Sequence, residues 1–323
     1  MQWPPSPRIE SMMDAGMTWM LAGTAALLAA VTAVVIVGGR LASGERARLA
    51  LRETGARLRT YWVMGAVFVA VAVFTGGAAT VVIFAFMSFL ALREYLTMAP
   101  TRRGDHGTLF WVFFVALPAQ YVLVGVNWYG FFSIFIPVYA FLFIPIRNAL
   151  AGDAEKFLER TAKVQWGLMV FVYCVSHAPA LMMLDIPGYE GQNAKLLFFL
   201  FFIVQAAELV RRLVAVCAAG RPLVPSIDAE ETVGGAAIGL IVGALLGWGL
   251  HSFTPYGEAE AAGMGALLAF LGLGGRLTMC ALFRDRGAAV GGFLREKSVM
   301  MRMDSVFFAA PVFFHLTRYF HVP

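Results

Sequence analysis

The sequence predicts an all-α, polytopic integral membrane protein. Three observations carry this: 60% of residues are hydrophobic, only 14% are charged, and the mean hydropathy is +0.74. A soluble chain carries about a quarter of its residues as charges. Apolar runs of roughly 18 residues or more cross the hydrocarbon core as helices, the open-chain structure that satisfies its own backbone in lipid. About ten such runs are legible, and each is bounded by a polar gap.

The first run, 17–39, follows a charged start, but it is too long for a secretory h-region of about 7–15 residues and reads as an anchor. A basic gap holding Arg40, Arg46, Arg48, Arg52, Arg57 and Arg59 separates it from the second, 61–76. Thr75-Gly76-Gly77 then introduces 78–98, and Arg102 and Arg103 precede 108–127. Asn127-Trp128-Tyr129-Gly130 leads into 129–146, while Arg147, Lys156, Arg160 and Lys163 precede 164–185. The remaining runs are 195–217, 233–250, 261–283 and 304–320, separated by Pro187–Ala194, by a gap with Arg221, by His251–Glu260 and by a gap with Arg284, Arg286, Arg295, Lys297 and Arg302. Basic and Lys/Arg-free gaps alternate, so the positive-inside rule places the basic gaps in the cytoplasm and both termini outside. For a bacterial chain this is the inner membrane.

No soluble domain of any size is expected. Residues 1–57 read as an anchor helix with a basic amphipathic segment, and 58–323 as the main transmembrane domain. Within 38–60, Leu41, Leu49, Leu51 and Leu58 interrupt the arginines, and 148–163 is similar, with Phe157 and Leu158 as apolar contacts; both read as short helices lying on the membrane surface. The net charge of +5 is explained by anionic headgroups, each arginine near them contributing about 1 kcal/mol. It needs no nucleic acid. Cys174, Cys217 and Cys280 lie in apolar runs without metal spacing and read as packing residues.

Ionisable groups inside the membrane are costly and point to function by default. Glu94, Glu208 and Asp304 lie near the cytoplasmic ends of their runs, where water or an arginine such as Arg93 is within reach. His177 stands beside Pro179, where a backbone carbonyl can accept its N–H. No multi-residue charge pathway of a transporter is legible.

The C-terminal stretch holds Arg284-Asp285-Arg286-Gly287, then Arg302-Met303-Asp304-Ser305 and a closing apolar run ending in His315-Leu316-Thr317-Arg318-Tyr319-Phe320. It resembles the C-terminal signature of the phosphatidate cytidylyltransferases, the CDP-diacylglycerol synthases. Similar phrases begin near Leu58 and include Ser88-Phe89-Leu90-Ala91-Leu92-Arg93-Glu94-Tyr95, Trp128-Tyr129-Gly130-Phe131-Phe132 and Ser176-His177-Ala178-Pro179. The resemblance implies CTP and phosphatidate as reactants, a carboxylate-held Mg2+ centre and basic residues that grip phosphate.

Residue by residue the match is partial. Glu208 and Asp304 correspond to metal carboxylates, Arg284, Asp285 and Arg302 to vestiges of the catalytic signature, and Ser226, Thr232 and Arg286 to substrate-binding positions. A phosphate-binding lysine is replaced by Glu231, and the second Lys-Asp pair and the Gly-His-Gly-Gly turn are absent. Such losses imply weak or lost cytidylyl transfer. The alternatives are an active synthase with a site relocated to Asp228, Glu230, Glu231 and Asp285, or a non-catalytic protein that holds anionic lipid through Arg284, Arg286 and Arg302 or supports a homodimer or membrane-protein partner. The same acids also read as solvated loop residues paired with Arg221, Arg284 and Arg286.

Overall fold

The computed structural model describes residues 15–41, 55, 58, 59, 62, 65, 76–99, 101–218, 220–287 and 298–323. Helix α1 is Ala15–Leu41 and α2 is Gly76–Met98. Then follow α3 (Arg103–Gly125), α4 (Tyr129–Leu150) and α5 (Phe157–Met183). Helix α6 is Asn193–Cys217, and a hairpin of β1 (Pro222–Val224) and antiparallel β2 (Asp228–Thr232) leads to α7 (Val233–Gly249), α8 (Glu258–Asp285) and α9 (Val299–His321).

Seven of these, α1 to α5 with α8 and α9, are long and apolar enough to cross a membrane, and α7 is a shorter apolar helix. The all-α membrane architecture is therefore as the composition implies. Every predicted run except 61–76 falls on a helix; most of that run and most of the basic segment 38–60 lie outside the described residues.

Helix direction alternates, so the ends joined by short connections gather at two poles. At one pole the end of α2 meets the start of α9 through Glu94, whose carboxylate accepts from the Val299 and Met300 amides at 2.8 and 3.4 Å. Tyr95 on the same turn donates to the Lys163 carbonyl at 3.0 Å. The starts of α3 and α5 meet there through the buried Arg160, which pairs with Asp105 at 2.8 Å and Asp153 at 2.9 Å. This corrects the reading of 148–163 as a surface helix. Its first residues end α4, its last begin α5, and Arg160 turns inward because two carboxylates compensate it. At the other pole Tyr256 and Thr317 share a hydrogen bond of 2.5 Å.

Aromatic side chains fill the centre. Phe171 on α5 meets Phe307 on α9 edge-on at 5.1 Å, and Phe199 on α6 stacks on Phe313 at 5.8 Å. Phe110, Phe114, Ile241 and Phe270 face outward, where lipid is as apolar as the core. Lipid supplies no hydrophobic force between helices, so close backbone approach matters instead. Gly243 of α7 lies against Gly265 and Ala269 of α8, where an added Cβ would stand 2.6 Å from the Gly265 carbonyl oxygen.

That contact yields a direct expectation. Gly243→Leu should force α7 from α8 and lower the melting temperature in detergent by several degrees, as overpacking costs about 1–3 kcal/mol or more. Gly263→Leu, at a position with open space around it, should leave it unchanged. Equal melting temperatures for both variants would contradict this packing.

Candidate functional site

Just inside the first pole, residues from four elements meet in a buried acid–arginine cluster. Helix α6 supplies Glu208, Arg211 and Arg212, which its 3.6-residue period places on one face. The hairpin contributes Asp228 and Glu231 from β2, α8 contributes Arg276 and Cys280, and α9 contributes Asp304 and Ser305. Two glycines make the convergence possible. A Cβ at Gly275 would collide with the Asp304 carbonyl, and one at Gly239 would stand 2.6 Å from Cγ of Arg211.

Arg276 sits at the centre and is 2% exposed. Its Nε and Nη2 donate to Oδ2 of Asp228 at 3.2 and 3.1 Å, and its Nη1 lies 3.7 Å from Oδ2 of Asp304. Cys280 Sγ donates to the same Asp228 oxygen at 3.4 Å, so this cysteine does more than fill space. Arg212 grips Oε1 of Glu208 through Nη2 at 2.6 Å and Nε at 3.0 Å. Ser305 Oγ links the two acids, donating to Oε2 of Glu208 at 3.3 Å or Oδ1 of Asp304 at 3.0 Å. Arg211 Nε lies 3.3 Å from Oε1 of Glu231. Burial pushes the Glu231 carboxyl above the usual carboxylate range, with the Arg211 charge opposing that shift.

Three guanidinium charges therefore face four carboxylates in space nearly closed to solvent. Burying such charges costs several kcal/mol per ion and is repaid only where partners are close. Among the described residues, no group of three or more His, Cys, Asp or Glu side chains is arranged to hold a metal ion.

The residues singled out from sequence divide in two. Glu208 and Asp304 do meet, bridged by Ser305. Arg284 and Asp285 lie at the exposed end of α8, roughly 12 Å along the helix from Arg276. Asp285 pairs with Arg286 at 3.0 Å, and Arg302 is exposed on the first turns of α9. Ser226 is exposed in the hairpin turn, whereas Thr232 caps α7 by accepting the Gly235 amide at 3.0 Å. Of the four acids considered for a relocated centre, Asp228 and Glu231 are buried in ion pairs while Glu230 and Asp285 are exposed. Glu94 is a helix cap, a role invisible locally because its partners lie over 200 residues away.

Arg211, Arg212 and Arg276 were not legible as site residues, yet they join the acids in a buried charge cluster. The available signal was an arginine deep within the apolar run 261–283, preceded by Gly274-Gly275. His177 matches its reading in kind: Nδ1 donates to a carbonyl at 2.7 Å. The acceptor is Tyr173 in a π turn (Met169–Cys174) of α5.

Arg276→Met keeps an unbranched apolar stem but removes the guanidinium and leaves Asp228 and Asp304 uncompensated. It should destabilise the protein by about 3–5 kcal/mol in detergent unfolding, and adding Asp228→Asn and Asp304→Asn should recover much of that loss. Glu231→Lys should also destabilise, because it places an ammonium against buried Arg211. Wild-type stability in Arg276→Met would contradict the ion-pair assignment.

The Cytidylyltransferase family model matches residues 55–320. The chain is 32% identical over 278 residues to the uncharacterized protein YnbB of Escherichia coli (strain K12), covering 83% of this chain and 88% of that protein. No solved structure matches it. A match across the transmembrane bundle, from before α2 to the end of α9, establishes that the chain belongs to the cytidylyltransferase family of membrane proteins.

Proposed function

We propose that this cytidylyltransferase-family protein retains the transmembrane scaffold without cytidylyl transfer from CTP to phosphatidate, and engages anionic phospholipid at its basic pole. The observation that carries the proposal is Arg276, whose guanidinium lies between Asp228 and Asp304 in the acid cluster. Transfer between a nucleoside triphosphate and a lipid phosphate depends on positioning and on neutralising phosphate charge. A magnesium ion held by carboxylates and substrate phosphates would supply that charge. Here Glu208 is engaged by Arg212 and Ser305, and Asp304 by Ser305 and Arg276. This donor set does not fit magnesium.

The exposed Arg284 and Arg302, with half-buried Arg286, give the same pole a phosphate-attracting surface. Orientation by the positive-inside rule puts that surface in the cytoplasm, at the inner membrane of a bacterium.

The test is purified full chain in detergent or nanodiscs with CTP, phosphatidate and magnesium. No CDP-diacylglycerol should form, while phosphatidate should bind measurably and more weakly to Arg302→Ala. Robust magnesium-dependent turnover that disappears in Asp304→Asn would establish an active synthase instead.

A further inference from the structure

The hairpin of β1 and β2 lies over the acid–arginine cluster as a strap. Pro225, Ser226, Ala229 and Glu230 are exposed, whereas Asp228 and Glu231 are buried against the cluster. A lone pair of strands is marginal in water, so what its inward residues grip decides whether it stays closed. The two grips are unequal. Asp228 receives two hydrogen bonds from Arg276 and one from Cys280. Glu231 has its buried Oε1 3.3 Å from Nε of Arg211, with no hydrogen bond between them.

Arg211 is 2% exposed, and among the described residues none of its Nε, Nη1 and Nη2 atoms makes a hydrogen bond. Buried polar groups are normally hydrogen-bonded, and a guanidinium left without acceptors calls for a functional account. Its stem is fixed. Helix α7 passes so closely that a Cβ at Gly239 would stand 2.6 Å from Cγ of Arg211, and one at Gly235 would stand 3.0 Å from its carbonyl oxygen. One carboxylate oxygen leaves most of the five N–H donors unused, whereas a phosphate offers several oxygens and accepts from guanidinium bidentately. Arg276 and Arg212 also attract negative charge at the Glu231 position, with Asp228 opposing them.

From these contacts we propose that Glu231 is a displaceable plug: a phosphate group, carried by a lipid headgroup or free, exchanges for its carboxylate at Arg211 while Asp228 keeps the hairpin hinged on Arg276. Glu231 gives way first because it surrenders a charge contact and no hydrogen bond to Arg211, while Asp228 would surrender three hydrogen bonds. The contact is autoinhibitory, closing the buried arginine to phosphate until the exchange. The lipid form of this inference rests on the phospholipid reading above, since it draws on phosphate gathered by Arg284, Arg286 and Arg302 at the same pole.

The experiment titrates the full chain in detergent with inorganic phosphate and, separately, with short-chain phosphatidate, reading affinity by calorimetry and melting temperature. Glu231→Gln keeps the shape of the side chain and removes the competing charge, so it should bind at least about tenfold more tightly than wild type. Adding Arg211→Gln removes both members of the buried pair, which should preserve folding and cancel the gain. Should Glu231→Gln not fold, Glu231→Asp, with its carboxylate one methylene farther back, should show the same gain in smaller degree. A gain for phosphatidate alone identifies a lipid headgroup as the occupant, and a gain for both ligands identifies phosphate from either source. A gain for inorganic phosphate alone supports the buried site and removes its lipid form. Wild-type affinity in the folded Glu231 variant, or a gain that survives Arg211→Gln, would overturn the exchange; phosphatidate binding that still depends on Arg302 would then leave the surface site of the proposed function standing without it.

Discussion

A charge taken out of water must be met by an opposite charge at close range, and the arrangement of α6, β2, α8 and α9 follows from how Arg276 is met. Its guanidinium is nearly inaccessible and reaches Asp228 on the hairpin and Asp304 on α9. Neither acid is near it in sequence. Their approach requires Gly275, beside which the α9 backbone passes at a distance that a methyl group would forbid. Small residues at the helix interface therefore let backbones touch, and the touching backbones let ions pair.

The same logic explains the rest of the first pole. Glu94 satisfies amides at the start of α9, orphan donors that no helix can satisfy internally. Arg160 ties the starts of α3 and α5 through Asp105. Charged residues that composition alone would assign to a solvated surface are consumed by internal partners. The arginine-bearing end of α8 and Arg302 on the first turns of α9 are among the residues that stay exposed at this pole.

Much of the fold was legible because its signal is local: an apolar run long enough to span lipid needs no knowledge of its neighbours. The site was only half legible. Glu208 and Asp304 could be picked out from the resemblance, and their meeting is seen through Ser305. Arg276 was passed over because a single arginine does not interrupt the apolar character of 261–283, and its partners lie 48 and 28 positions away. Glu231 was read as facing phosphate, whereas Arg211, twenty positions earlier, takes its carboxylate. Pairing across such separations is set by helix packing, which one sequence does not display.

In the function proposed above, Arg276 supplies the positive charge that the acid cluster would otherwise take from a metal ion. Thermal unfolding of wild type and Arg276→Ala, each titrated with magnesium, tests it most directly. Magnesium should leave wild type unmoved and raise the melting temperature of Arg276→Ala, since a ligand at 100 times its dissociation constant stabilises by about 2.7 kcal/mol. Magnesium stabilisation of wild type, with no further gain when Arg276 is removed, would contradict the account.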